Sequence, residues 1–220
     1  MIDTKNHISQ TSKLNAKSWS LEAWATCLGA KKDDGTAVDA CAGCYARGGF
    51  YRFGVVKQAR IDNREAWRAE AWIATMVEAL KKQSLFRWFD SGDLYHADLA
   101  EKVYQVILQT PHVQHWLPTR AYKIKRVRLV LEKIKQLPNV AVRYSSDSIN
   151  GEFTEGLHGS TIVRTQTEAP TGVFVCEAYT RDGKCGDCSA CYNPSVPVIG
   201  YVAHGKTMQK LVTIDRKKAA

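Results

Sequence analysis

The chain has no run of eighteen apolar residues, so no segment of it is expected to cross a membrane as a helix. Its start, MIDTKNHISQTSKLNAKSWS, is polar and lacks the apolar centre of a secretory signal, which points to the cytoplasm. Internal repeats, low-complexity tracts and a convincing domain linker are also missing. The histidines are scattered: His96, His112 and His115 share no metal-ligand spacing and are expected on the surface or in strands. What remains is an ordinary globular composition, 45% hydrophobic and 24% charged, in 220 residues that suffice for one domain with appendages. The net charge of +9 invites a nucleic-acid partner. The cations are dispersed, however, at 31–32, 81–82, 123–128 and 216–218, so nucleic acid is admitted as a partner but not favoured.

The seven cysteines form two groups. Cys27, Cys41 and Cys44 fall in TCLGAKKDDGTAVDACAGCYAR; Cys176, Cys185, Cys188 and Cys191 fall in CEAYTRDGKCGDCSACYN. An odd count argues against complete pairing, and CxxC pairs in a reducing compartment read as metal ligands. Four thiolates close the coordination of zinc or of an iron–sulfur cluster, whereas three leave one iron of a [4Fe–4S] cluster open. The division therefore suggests one open cluster and one closed one. Zinc completed by a histidine, or free thiols, are the alternatives for the first group. The late spacing C-x8-C-x2-C-x2-C suits zinc as well, although its CxxCxxC centre resembles ferredoxin spacing.

Apolar periodicity predicts helices over about 62–83, capped by Asp62-Asn63, over 97–109 and over 122–136, the last stopped by Pro138. Strand-length apolar runs lie at 85–89, 113–117, 140–144, 161–165 and 173–176, with a weaker one at 18–24. Alternating strands and helices indicate parallel βαβ units. The alternation thins after Tyr144, so the expected fold is α/β, an incomplete TIM-like β/α barrel of about six strands. Residues 1–178 would form it, and 179–220 a cysteine-rich, cluster-binding extension on its mouth. Reactive groups in such barrels sit at the carboxyl ends of strands. Asp90-Ser91-Gly92-Asp93, Thr119-Arg120 and Ser145-Ser146-Asp147 fall there, and both cysteine groups are expected on that same rim. Asp90 and Asp93 also suit plain turn positions, and Arg120 a helix carboxylate.

The stretch CAGCYARGGFY resembles the cluster loop of radical S-adenosylmethionine proteins, and FRWFDSGDLYHADLAEKVYQVILQTPHVQHWLPTRAYK resembles their second and third strands. Over about 18–204 the chain is most similar to the phage gene product 88 family, which also carries a late GKCGDC-type block. The resemblance implies an open [4Fe–4S] cluster on Cys27, Cys41 and Cys44 and a second on the late four. It places Ser91, Gly92, Asp93, Thr119, Arg120, Ser145 and Ser146 around S-adenosylmethionine, with an external electron donor. One departure stands out: thirteen residues (28–40) separate the first two cysteines where three are usual. This polar insert is expected to loop out and return its cysteine. The rival expectation is a non-catalytic iron–sulfur or zinc protein that binds nucleic acid or a protein.

Overall fold

The computed structural model describes residues 6–219. In chain order the elements are β1 (Ile8–Gln10), β2 (Lys17–Trp19), α1 (Asp39–Ala42), α2 (Gly54–Ala66), α3 (Trp72–Leu80), β3 (Leu85–Trp88), α4 (Ala97–Gln109), β4 (Gln114–Thr119), α5 (Lys125–Ile134), β5 (Val140–Tyr144), β6 (Ser160–Val163), β7 (Val173–Cys176), β8 (Val198–Val202) and α6 (Lys206–Ala219). Five strands form one sheet in the order β1-β2-β3-β4-β5, and three form another, β6-β8-β7. Only β1 runs antiparallel to its neighbour; every other pairing is parallel. A single parallel bridge, Ser145 to Ser160, joins the ends of β5 and β6.

The pleat decides what each face of the first sheet does. In β3, Phe86 and Trp88 turn into the core with Trp19, Trp72, Met76 and Leu80, all fully buried. Trp19 meets Trp72 edge-on at 5.2 Å, an aromatic geometry contributing roughly 1 kcal/mol beyond its area burial. The intervening residue Arg87 faces the other way and pairs in register with Trp116 of β4. In α5, Val127, Val130, Leu131 and Ile134 recur at helical spacing and are buried, while cations occupy the outer face.

The helix expected over 62–83 is two helices, α2 and α3. It begins eight residues earlier, at Gly54, so Asp62 and Asn63 lie inside α2 rather than capping it. Asn63 is buried and ties the helix to the amino-terminal segment: its Nδ2 donates to His7 O and Ser20 O (both 2.9 Å), and its Oδ1 accepts from His7 N. The break follows buried Trp67, whose Nε1 donates to Tyr95 Oη (2.9 Å). Lys102 Nζ donates to the freed carbonyls of Trp67 and Ala69. The third helix instead starts later than expected, after a 3-10 turn at Ala121–Lys123. By contrast α4, β5 and β7 have their expected bounds.

Four elements carried no usable sequence signal: β1, α1, β8 and α6. Strand β8 lies within the stretch expected as an extension, yet it is the central strand of the second sheet, with Ile199 fully buried. Residues after 178 thus complete the α/β body. Among the described residues no helix is long and apolar enough to cross a membrane.

Candidate metal centres

The segment leaving β2 and the turn leaving β3 form one hydrogen-bonded unit. Leu21 N donates to Ser91 O (2.9 Å), Ser91 Oγ donates to Leu21 O (2.8 Å), and Asp90 N donates to Ser20 Oγ (3.0 Å). Gly92 sits in that turn at φ +73, where a Cβ would lie 2.6 Å from the Leu21 Cβ; only glycine fits. The chain then reaches Cys27 and a 3-10 turn at Leu28–Ala30. Gly29 presses on the end of β4, since a Cβ there would be 2.1 Å from Arg120 O. Lys31 and Ala37 form an antiparallel bridge, reinforced by Lys32 N to Thr36 O (2.8 Å) and Val38 N to Ala30 O (2.9 Å). This hairpin absorbs the long insert and delivers Cys41 in α1. Ala40 N donates to Asp147 O beyond β5 (2.9 Å). The first cysteine group is therefore held by turns at the carboxyl ends of β2, β3, β4 and β5.

Cys27 lies within electrostatic reach of Cys41, Cys44 and Asp93, and Cys41 of Cys44 and Asp93. Burial pushes the Cys27 thiol up to about 12, with Asp93 adding to the effect. Burial also raises Cys41, against the pull of the Arg120 charge. Soft thiol donors suit an iron–sulfur cluster or zinc. Among the described residues, however, no three His, Cys, Asp or Glu side chains stand close enough to hold a single metal ion.

Asp93 ties the strand ends together. Its Oδ1 accepts from Thr119 Oγ1 (2.6 Å) and Leu94 N (2.7 Å), and its Oδ2 accepts from Arg120 N (2.8 Å). Burial raises this carboxyl to about 6, although all three hydrogen bonds work the other way. Arg120 donates from Nη2 to Ser146 O (2.6 Å) and faces Asp147 at 3.4 Å. Ser145 N donates to Thr119 O (2.9 Å), and Ser146 Oγ donates to Glu152 O (2.6 Å). The structure thus brings Ser91, Gly92, Asp93, Thr119, Arg120, Ser145 and Ser146 to one rim, where their polar atoms largely engage one another. Of these seven, only Ser146 lines the open cleft beside α1, which Lys32, Asp39, Tyr122, Asp147, Glu152 and His158 also line. Sequence reasoning missed the Tyr122 Oη to His158 Nε2 contact (2.9 Å) in that cleft, which joins residues 36 apart with no local signal.

The late cysteines occupy a different place. All four line one pocket with Leu14, Phe174 and Ile199. Cys185 N donates to Lys13 O (3.0 Å) and Lys184 Nζ to Ser12 O (2.7 Å), and Cys185 and Cys191 pack with Leu14, Ala16 and Leu85. Those partners precede β2 and begin β3, so this group lies at the amino ends of these strands rather than on the rim that holds the first. The expected shared rim fails because the 177–197 segment folds back under β2 after Cys176. Arg143 of β5 fixes that segment: it donates to the carbonyls of Cys191 (2.9 Å), Ala190 (2.8 Å), Asn193 (2.8 Å), Val196 (2.9 Å) and Gly159 (3.3 Å). Burial pushes Cys191 up to about 11, with a Tyr201 Oη contact at 3.4 Å opposing it.

Arg87 stands between the two regions. It is paired with Asp90 (2.7 Å), reaches Tyr45 Oη (3.4 Å) and lies 4.5 Å over the Trp116 ring. Asp90 also accepts from Tyr51 Oη, so the Tyr45–Tyr51 turn after Cys44 is anchored to β3. Sequence reasoning had no means of finding Arg87, because a charged residue within a strand is ordinarily on a solvated face.

Fold and sites together define a mixed α/β protein with a parallel-rich sheet and two separate clusters of free, partly buried cysteines. A family profile described as Gene product 88 matches residues 1–216, so the chain belongs to the phage gene product 88 family. No curated protein and no solved structure matches it.

Proposed function

We propose that this is an iron–sulfur protein of radical S-adenosylmethionine type, with an incomplete β/α barrel and two [4Fe–4S] clusters. The observation that carries the reading is that the segments bearing Cys27, Cys41 and Cys44 are held at the carboxyl ends of four neighbouring parallel strands, despite the long insert. The Ser145–Ser160 bridge, which continues β5 into β6, supports a barrel-like arrangement of the two sheets. The late quartet is compatible with a closed four-thiolate site, because Cys176, Cys185, Cys188 and Cys191 line one pocket. Arg181 lines that pocket, and Arg143 holds the Cys191 carbonyl at its edge, so cationic groups are at hand for an anionic, thiolate-ligated group.

When bound, an open cluster supplies an iron site that S-adenosylmethionine can chelate and the electron for cleaving its C–S bond. The chain's own share is positional. The Gly92 turn and the Asp93–Thr119 link fix the rim. Arg120 holds the β5 loop, and the cleft walled by Tyr122 and His158 opens beside Cys41 for a further ligand. Anaerobic reconstitution followed by iron and sulfide analysis tests the reading, with about eight of each per chain expected for two such clusters. S-adenosylmethionine should then perturb the paramagnetic resonance of the reduced open cluster. Stoichiometric zinc without sulfide rejects the reading. Two intact clusters with a spectrum indifferent to saturating S-adenosylmethionine move it to a non-catalytic iron–sulfur protein.

A further inference from the structure

Residues 45–61, YARGGFYRFGVVKQARI, contain four cations (Arg47, Arg52, Lys57 and Arg60) and no carboxylate. The fold places this run on the surface directly after Cys44. Three of its apolar side chains stay in solvent: Phe50 is 76% exposed, Phe53 59% and Val55 85%. The two phenylalanine rings stand edge to face at 5.3 Å. Gly49, at φ +52, and Gly54 have no atom within 4 Å of where a Cβ would be, so the turn is open at both glycines. Arg47, Arg52 and Lys57 are exposed and, among the described residues, engage no carboxylate. The Arg47 guanidinium lies 4.6 Å over the Trp24 ring, which extends the cation–aromatic surface towards Lys31.

Isolated exposed apolar residues are normal. Three within six residues, flanked only by cations in a chain of net charge +9, are not accounted for by packing. Exposed rings interleaved with cations are what a single strand of nucleic acid requires, bases stacking on the rings while the charges follow the phosphates. Helix α5 carries as many cations, but its only large exposed apolar residue is Leu129. We infer that the turn centred on Phe50 and Phe53 is a platform for single-stranded nucleic acid, with Arg47, Arg52 and Lys57 meeting its phosphates. This surface needs no cofactor, so it goes beyond the iron–sulfur reading and is tested separately from it.

The test is fluorescence anisotropy with a labelled oligothymidylate of about twenty nucleotides, several times the smallest known site sizes, across a salt series. Wild type should bind, and Phe50→Ala/Phe53→Ala should weaken binding on the order of tenfold or more. Arg52→Gln/Lys57→Gln should flatten the log–log salt slope by roughly 1.4, at about 0.7 per lost phosphate contact. Arg126→Gln/Leu129→Ala on α5 should leave affinity within about twofold and the slope unchanged. All these positions are exposed, and matching melting curves check that the variants fold. Absence of wild-type binding overturns the inference, as does an α5 variant as weak as the phenylalanine pair. So does a phenylalanine pair that keeps oligonucleotide affinity but loses self-association in sedimentation, which assigns the platform to protein contact. Iron is assayed on the same samples: binding without iron upholds this inference while removing the cofactor reading, and iron without binding does the reverse.

Discussion

Asp93 Oδ1 accepts a hydrogen bond from Thr119 Oγ1 at 2.6 Å, joining the turn after β3 to the last residue of β4. The same carboxylate holds the Arg120 and Leu94 amides, so one buried side chain sets the spacing of two adjacent strand ends. Asp93→Ala leaves all three donors without an acceptor and should cost roughly 3 kcal/mol. Urea unfolding measures this, and a cycle with Thr119→Val should show coupling of about 1 kcal/mol or more between the two positions. Additive losses would mean that the contact is not formed in solution.

Gly92→Ala should be among the most damaging small substitutions. The new Cβ meets both the Leu21 side chain and its backbone at 2.6–2.7 Å, at a φ of +73. Strain and overpacking together should cost roughly 2–4 kcal/mol. Gly35→Ala, at φ +78 with open space around it, should cost only about 1 kcal/mol. Equal losses at the two positions, compared by thermal melting, would remove the close approach between the β2 and β3 turns.

Arg143→Met should release the 177–197 segment, because four of its backbone carbonyls, at Ala190, Cys191, Asn193 and Val196, lose the guanidinium at once. The expected loss is roughly 3 kcal/mol or more. Limited trypsin digestion should then cut at Arg181 and Lys184 much sooner than in wild type. An unchanged digestion pattern would show that the cysteines, not Arg143, order this block.

His115 gives a pH dependence of definite sign. It is fully buried beside Trp88, and burial pushes its pKa down to about 3 from the ordinary 6.5. The unfolded chain therefore binds a proton that the folded chain refuses between these values, and this group's contribution to stability falls as pH drops below about 6.5. Asp93 runs oppositely: raised to about 6, it keeps a proton that the unfolded chain sheds near 3.8, and its contribution falls as pH rises through that window. Comparing wild type with His115→Gln isolates the histidine. The variant should be less stable at pH 7.5 by about 1–2 kcal/mol. By pH 5 the balance should move by about 2 kcal/mol in the variant's favour, at 1.36 kcal/mol per pH unit below 6.5, so that the gap closes or reverses. A gap independent of pH would show that His115 protonates freely in the folded state.

The cysteine grouping, the parallel α/β alternation and the bounds of α4, β5 and β7 were legible in the amino-acid order, because spacing and apolar period are local properties. The strand-end turn at 90–93 was legible for the same reason. Tertiary structure decided what these pieces do to one another. It split the 62–83 helix after Trp67, whose indole is held by Tyr95, and it put Asn63 inside α2 as a buried tether instead of a cap. It made β8 a central strand, although VIGYV is too short to announce itself and pairs with strands 22 and more residues away. It sent the two cysteine groups to different ends of the first sheet's strands, through contacts such as Cys185 with Lys13 that span most of the chain. And it left Phe50 and Phe53 in solvent, where their apolar character alone would have put them inside.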